Sequence, residues 1–319
     1  MDKRKVAIIG GSGFIGTRLV KRLNARSDLS LTIIDKQPSP QFPGLYHYGD
    51  VTEPQTLLKP LKGCDALINL AAAEQNGTHS SALHYQVNVQ GARNLCMMAS
   101  LLDIRQIIFT SSVDVYVPVK REIDEEGDIL PLHHYGKSKL EAEYVYEAWR
   151  RADSGNKLAI IRPTEVFGEG HYDALYTLLY RIASGRLVMI GSGKNMKSMS
   201  YVENIAAKLE YELDLQPLYH ISNYADKPDM TVNEWIAAIS SSLGKNRKSM
   251  HIPYFLGICG AAALDVLSKI SRKKFLINRS LVRDFCTRTQ FKSSVSNGFV
   301  APVDLNSAIE RTIRYERVK

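Results

Sequence analysis

A doubly wound α/β sheet is the fold class this sequence predicts, and three observations predict it. Apolar runs of strand length alternate with amphipathic stretches of helix length through the first half of the chain. A glycine-rich turn separates the first apolar run from the first helical stretch, and an acidic residue, Asp35, closes the second run. Strand and helix in strict turn require parallel strands joined by crossover helices on both faces of the sheet.

The elements follow in order. "KVAIIG" reads as the first strand and "GTRLVKRLNARS" as the first helix, then "LTIID" as a strand, "TLLKPLKG" as a helical stretch and "DALINLAA" as a strand. An amphipathic stretch from Ser80 to Leu102, the strand "QIIFTSS", a helix from Tyr135 to Asp153 and the strand "LAIIRP" complete the alternation. Beyond Arg162 it weakens, with one further strand expected near 218–223. The expected division is a nucleotide-binding unit over 1–165 and a smaller C-terminal substrate lobe over 166–319, with no linker or internal repeat between them.

Composition narrows the class. At 319 residues with 45% hydrophobic side chains, the chain can bury a substantial core. Four cysteines, Cys64, Cys96, Cys259 and Cys286, lie far apart without zinc or dithiol spacing, so neither a metal nor a disulfide framework is expected. The short apolar run at the start ends in the glycine turn, which reads as folded structure in a cytoplasmic protein. The net charge of +8 is concentrated at the C-terminal end, where residues 245–319 carry 15 Lys and Arg against 5 Asp and Glu. No RNA- or DNA-binding motif accompanies that charge, so an anionic membrane surface or a phosphate-bearing ligand fits better than nucleic acid.

The glycine turn carries the first chemistry. Gly10, Gly13 and Gly16 form GxxGxxG between a strand and a helix, the fingerprint of a Rossmann sheet. Gly10 permits the tight turn, Gly13 lets a pyrophosphate approach the backbone, and Gly16 lets helix and strand pack closely. Asp35, at the tip of the second strand, can accept hydrogen bonds from ribose hydroxyls and repel a 2′-phosphate, which favours NAD over NADP. Lys36 follows it directly. Asp50 and Val51 in "GDVT" fall where an adenine is held, although Asp50 also suits a helix cap.

The second chemistry lies in "YGKSK". Tyr135 and Lys139 are four residues apart and share a helix face. A phenol with pKa ~10 becomes a workable base once an ammonium and a nicotinium charge stabilise its anion. Ser111 and Ser112 close the strand that begins at Gln106, at the sheet edge where such folds bind ligands, and Ser112 can donate to a substrate oxygen.

Together these motifs resemble the extended short-chain dehydrogenase/reductase family of NAD-dependent sugar epimerases and dehydratases. "GGSGFIG", "GDVT", "NLAA", "YQVNVQGARNL", "FTSSVDVY", "YGKSK", "RPTEVFGEG" and "YVENIA" occur in family order over nearly the whole chain. The resemblance implies Ser112, Tyr135 and Lys139 as catalytic residues, with Lys139 also on the nicotinamide ribose. It implies cofactor contacts at Phe14 and Ile15 of the turn, at Leu70, Ala71 and Ala72, and at Asn88 and Pro163. It further implies a homodimer formed through the helices around 80–102 and 135–153.

Departures from the family pattern narrow the reaction. Val113 and Asp114 stand where a 4,6-dehydratase has its Asp and Glu, which disfavours dehydration. Val117 replaces the glycine of a "VYG" turn, and Glu165 replaces an asparagine. Lys197 occupies the position of an arginine that grips a diphosphate, and lysine lacks the planar bidentate fork. Lys197, Lys194 and Tyr201 are the expected substrate contacts, together with Ser112, although either lysine also suits a solvated loop and Tyr201 equally suits a packed strand or helix start.

"KSMSYVENI", "NYADKPD", "SMHIPYFLGICG", "DVLSKISRKKF", "FCTRTQF" and "GFVAP" resemble a branch of the family that epimerises C4 of an amino sugar carried on undecaprenyl diphosphate, through a 4-keto intermediate, for O-antigen synthesis. Segment 251–275 then has a function. Its apolar run is too short to span a bilayer, which needs ~20 residues. It could lie in the inner face of the cytoplasmic membrane, with Arg272, Lys273 and Lys274 on anionic head groups. From residue pattern alone it suits a buried helix of the substrate lobe equally well, because Gly257, Gly260 and three alanines favour close packing. A UDP-N-acetylhexosamine 4-epimerase, a nucleotide-sugar 4-ketoreductase or a non-catalytic NAD-binding protein are the alternative readings, the last disfavoured by the intact Ser112, Tyr135 and Lys139.

Overall fold

The computed structural model describes residues 3–73, 80–119, 121–171, 182, 184, 187–215, 217–244, 250–271, 279–293 and 298–318. Its centre is a seven-stranded parallel sheet. β1 (Arg4–Ile9), β2 (Leu29–Asp35), β3 (Tyr46–Tyr48), β4 (Ala66–Asn69), β5 (Gln106–Thr110), β6 (Lys157–Pro163) and β11 (Tyr219–Tyr224) lie in the order β11-β6-β5-β4-β1-β2-β3. This is the predicted doubly wound sheet, and β11 is the strand expected near 218–223. The order reverses between β1 and β4, so the crevice for a ligand opens beyond the C-terminal ends of those two strands.

Alternation of side chains divides the core. Ala7 and Ile9 of β1 join Leu67, Ile107, Phe109 and Ile160 under one helical layer, α4 (Gly91–Leu101) and α5 (His134–Ala152). Val6 and Ile8 join Ile33, Ile68, Ile108 and Ile161 under the other, α1 (Phe14–Asn24) and α6 (Val202–Asp214). A two-residue period with both faces apolar is what a sheet covered on both sides demands.

The helices depart from the sequence pattern in two places. The stretch "TLLKPLKG" makes only a four-residue turn, α2 (Leu58–Leu61), preceded by a 3₁₀ turn at Pro54–Thr56. Pro54 and Pro60 lack the amide hydrogens a longer helix would need. The stretch from 80 to 102 is α3 (Ser81–His84), a π-helical segment at Tyr85–Gln90 and then α4. A π segment carries one extra residue per turn and redirects the side chains within it.

The C-terminal lobe has its own core. Phe167, Met199, Tyr201, Trp235, Ile239, Ile309 and Ile313 pack together. They come from β7 (Glu165–Phe167), β10 (Met199–Tyr201), α7 (Val232–Ser242) and α10 (Leu305–Val318). Thr231 and Glu234 close a reciprocal capping box on α7, with Glu234 N donating to Thr231 Oγ1 at 3.2 Å and Thr231 N to Glu234 Oε2 at 2.6 Å. Short pairs β8 (Val188–Ile190) with β13 (Met250–Ile252) and β9 (Met196–Lys197) with β12 (Met230–Thr231) frame the lobe. α8 (Tyr254–Ser271) and α9 (Arg279–Cys286) lie at its outer side.

A buried ion pair ties α5, the helix that carries Tyr135 and Lys139, to the sheet. Arg162 on β6 meets Glu143 on α5 through two parallel bonds, Nε to Oε1 at 2.9 Å and Nη2 to Oε2 at 2.6 Å. Its Nη1 reaches Tyr116 Oη at 2.6 Å, and that hydroxyl donates to Asn223 Oδ1 on β11 at 2.9 Å. Removing one partner strands the other charge. Glu143→Leu or Arg162→Met alone is therefore expected to cost about 3–5 kcal/mol, and the double replacement to recover most of it. Equilibrium denaturation of the three variants measures both, and single losses below about 1 kcal/mol would refute the role.

Candidate active site

The glycine turn forms as a tight cradle. Gly10 has φ +77°, and a Cβ there would lie 2.8 Å from the Ala71 nitrogen, while one on Gly16 would overlap the Gly10 carbonyl. Gly13 is the N-cap of α1, so the first-turn amides of Phe14, Ile15 and Gly16 have no acceptor inside the helix and face an anion site. The Phe14 ring stacks on His171 at 4.3 Å, and both Phe14 and Ile15 pack against the lobe core. What they offer a phosphate is backbone.

Asp35 stands at the tip of β2. Its Oδ2 accepts from Ser12 N at 3.0 Å and its Oδ1 from Gln37 N at 3.0 Å, which fixes the carboxylate beside the turn with lone pairs left for ribose hydroxyls. Lys36 turns away and binds Asp50 Oδ2 at 2.8 Å. Asp50 Oδ1 accepts from Thr52 N at 2.9 Å, which closes a local turn, while the 3₁₀ turn and α2 beyond it have Glu53 and Leu57 at their N-caps, so Asp50 caps neither. Burial opposes ionisation of Asp50, but Lys36 and Thr52 outweigh it and hold the carboxyl below its ordinary range. Val51 is buried against Gly91, and its carbonyl accepts from Asn94 Nδ2 at 2.7 Å.

A polar chain positions the opposite wall. Asn69 ends β4, receiving Ala71 N on Oδ1 at 3.0 Å and donating from Nδ2 to Tyr146 Oη at 2.7 Å, which sets the course of Leu70, Ala71 and Ala72. Asn88, in the π segment, accepts from Ala73 N at 3.0 Å and donates to Ser138 Oγ at 2.8 Å. Ser138 Oγ in turn donates to the Tyr135 carbonyl at 2.7 Å. His84 Nδ1 donates to Ala73 O at 3.3 Å, and its ring meets Tyr135 edge-on at 6.0 Å. Sequence reading singled out Asn88 but missed Asn69, His84 and Ser138. The local signals were an asparagine closing a strand and a serine inside "YGKSK".

The three candidate catalytic residues come from two adjacent elements. Ser112 caps the 3₁₀ turn Val113–Val115 just after β5, and its Oγ accepts from Asp114 N at 3.1 Å, leaving its proton free to donate outward. Tyr135 and Lys139 lie in the first turns of α5. Lys139 Nζ donates to Thr110 O at 2.8 Å and lies 5.8 Å from the centre of the Tyr135 ring. Burial pushes the Lys139 ammonium down to about 7, against an opposing pull from Glu143. Pro163 closes β6 beside them.

The expected substrate residues divide. Lys197 is half-buried on β9, bridged to Thr289, and Lys194 is exposed in the loop before it. Tyr201 is placed elsewhere: only 1% exposed, it packs on Phe167 and donates to Glu169. Its ring is core, because β10 turns it inward at the start of α6. Among the described residues no cluster of His, Cys, Asp and Glu could hold a metal.

A dinucleotide fits this site. The cradle would be filled by any Cβ at Gly10 or Gly16, and Ser12 Oγ and Ser111 Oγ are buried without a hydrogen-bond partner among the described residues. Turn, acidic strand tip and a Ser, Tyr and Lys set at one sheet edge define a nicotinamide-dependent enzyme acting on a hydroxyl or its ketone. The chain belongs to the NAD dependent epimerase/dehydratase family, whose model matches residues 6–214, and NAD is its cofactor.

The chain is 42% identical over 317 residues to N-acetyl-alpha-D-glucosaminyl-diphospho-ditrans,octacis-undecaprenol 4-epimerase of Escherichia coli O157:H7, covering 98% of this chain and 95% of that protein. Human sterol-4-alpha-carboxylate 3-dehydrogenase, decarboxylating, is 26% identical over 79% of this chain and 70% of its own. The fold matches UDP-N-acetylglucosamine 4-epimerase from Bacillus cereus with a TM-score of 0.78 at 17% identity, over 99% and 100% of the two chains.

The depressed Lys139 pKa has a stability consequence. Below about pH 7 both folded and unfolded chains hold the proton, and the fold bears the full cost of the buried ammonium. From about 7 to the ordinary lysine value, only the unfolded chain holds it, so the native state gains stability as pH rises. Lys139→Met is expected to be more thermostable than the parent at pH 6, with the gap narrowing steadily between pH 7 and 10. A gap independent of pH would refute the depressed value.

Proposed function

We propose that this enzyme interconverts N-acetylglucosamine and N-acetylgalactosamine at C4 while the sugar is carried on undecaprenyl diphosphate, at the inner surface of the cytoplasmic membrane. The likeness to the Escherichia coli epimerase supports the reaction. The observation that carries the lipid-linked substrate is the first turn of α8, which presents Tyr254, Phe255 and Leu256 to solvent, the last two 71% and 58% exposed.

The side chains at the sheet edge suit the chemistry. Tyr135, as phenolate beside Lys139, accepts the proton of the C4 hydroxyl and returns it when the ketone is reduced. Ser112 donates to the same oxygen. Lys139, held by Thr110 O, lies 5.8 Å from the centre of the phenol ring, where its protonated form stabilises the phenolate. NAD held at the glycine turn would supply a reversible hydride acceptor for C4. Between the two transfers the sugar turns about its bond to the diphosphate, so the opposite face meets the cofactor. Val113 and Asp114 supply no Asp and Glu pair to expel a hydroxyl, which keeps the 4-keto sugar on this path.

Surface features complete the proposal. No helix among the described residues is long and apolar enough to cross a membrane. α8 instead packs on the lobe through Gly257, where a Cβ would overlap Ile190, and leaves its apolar start outside. Immersing Phe255 and Leu256 would contribute about 1.5–3 kcal/mol each. The basic cluster Arg272, Lys273 and Lys274 lies outside the described residues. Met97 and Leu101 of α4 and Tyr144 of α5 are exposed on two helices that pack on each other, apolar side chains suited to a homodimer seam.

The purified enzyme, without added cofactor, is expected to convert N-acetylglucosaminyl diphosphoundecaprenol in detergent to the N-acetylgalactosamine form and to leave UDP-N-acetylglucosamine unchanged. Tyr135→Phe should lower kcat by about 10²–10⁴ with the fold intact. Conversion of the UDP-sugar alone would sink the proposal.

Flotation with anionic vesicles tests the surface separately. The parent should float, and Phe255→Asp or Leu256→Asp should reduce the bound fraction about tenfold. Equal flotation by all three would remove α8 as the contact.

A further inference from the structure

A cavity of about 280 Å³ opens in the C-terminal lobe, away from the glycine turn. Ser192, Asn195, Tyr254, Arg283, Cys286 and Thr287 line it. Its walls are built rather than incidental. Asn195 Nδ2 donates to Phe285 O at 2.9 Å and Thr287 O at 3.2 Å, holding the end of α9 against the loop between β8 and β9. Cys286 Sγ donates to Ile190 O at 3.3 Å, and Gly191 N donates to Ile252 O at 2.9 Å, which fixes the start of α8 beside them.

Two continuities give the cavity meaning. On one side Thr287 leads to Thr289, whose backbone bonds Met196 O at 3.0 Å and Ser198 N at 2.8 Å, on either side of Lys197. Phe291 follows, its nitrogen donating to Ser198 Oγ at 3.0 Å and its ring packing on Tyr116, four residues past Ser112. On the other side Tyr254 is shared with the exposed apolar turn that continues into Phe255 and Leu256. The cavity is thereby linked through hydrogen-bonded backbone and packed rings to the turn that carries Ser112, and it shares Tyr254 with the exposed apolar turn, with a guanidinium and an amide among its lining groups.

We propose that this cavity binds the junction between diphosphate and prenyl chain. Arg283 binds the phosphate nearer the lipid, and Tyr254 and Leu256 take the first isoprenoid unit. The proposal rests on the lipid-linked reading above and adds a reason for it. A sugar that must present both faces to one cofactor needs a fixed pivot, and gripping the lipid end leaves the sugar end free to turn. It also supplies the planar cation that Lys197 lacks.

Cys286 reports occupancy. In a Cys259→Ser background it is the partly accessible thiol, because Cys64 and Cys96 are buried. Its alkylation by a maleimide at pH 8.5 is followed in one detergent with no ligand, geranyl diphosphate, N-acetylglucosaminyl diphosphoundecaprenol or UDP-N-acetylglucosamine, and epimerisation is assayed on the same sample. The expected result is at least tenfold slower labelling with both prenyl diphosphates and no change with the UDP-sugar. Arg283→Met should raise the half-protecting geranyl diphosphate concentration at least tenfold, with Arg283→Lys between. Equal protection by the UDP-sugar would overturn the proposal by placing the nucleotide end there. Unprotected Cys286 in a sample that epimerises the lipid-linked sugar would overturn it while leaving the function standing. A sample that epimerises only the UDP-sugar would overturn both.

Discussion

The burial of one ammonium group organises this enzyme. Lys139 sits where desolvation favours the neutral amine, yet the base role proposed for Tyr135 needs a cation beside it. The surrounding structure answers that conflict in layers. Thr110 O accepts directly from Nζ, and Glu143, one turn along α5, pulls the proton on. Glu143 is in turn balanced by Arg162, which is anchored on Tyr116 and through it on Asn223. Four elements, β5, α5, β6 and β11, are thus held by a single line of charge compensation. The residual cost of burial still holds the Lys139 pKa at about 7, below the ordinary lysine value.

The same line reaches the substrate lobe. Tyr116 accepts from Arg162 and packs on Phe291, and Phe291 N donates to Ser198 next to Lys197. A shift of the lobe strand would therefore be felt at the turn that carries Ser112. Phe14 makes a second bridge, opening α1 at the phosphate cradle while stacking on His171 beyond β7. Cofactor cradle, catalytic turn and substrate lobe are coupled by packed rings and buried hydrogen bonds, which permit little independent movement.

Much of the sheet and turn was legible because its signals are local. Alternating apolar strands, GxxGxxG and the acidic end of "LTIID" are short-range patterns, and six of the seven parallel strands follow from them, the return strand included, whereas the three-residue β3, Tyr46–Tyr48, has no apolar run to announce it. What was not legible depends on distant partners. Tyr201 in "KSMSYVEN" suits a substrate contact and a packed residue equally, and only Phe167 and Glu169, brought from β7 and the turn after it, decide for packing. The π segment is invisible to a 3.6-residue period, though it aims Asn88 at Ser138. In "TLLKPLKG" the apolar spacing suggests a helix that Pro60 cuts short. Asn69, His84 and Ser138 are ordinary polar residues until the fold joins them.

Segment 251–275 shows why pattern alone left two readings open. Its glycines and alanines fit burial, and one face is indeed buried: Gly257 lies against Ile190, and Ala261 is in the core. Its aromatic and leucine side chains fit an interface, and Tyr254, Phe255 and Leu256 do face solvent. The two readings describe opposite sides of one helix. A helix that packs through small residues can sit close to the lobe and still hold large apolar groups outward. Under the lipid-linked reading proposed above, resting that apolar turn in a bilayer surface would bring the sheet edge to the membrane while the sugar stays in the aqueous cleft. A carrier lipid then need move only far enough out of the bilayer to place its diphosphate over the lobe.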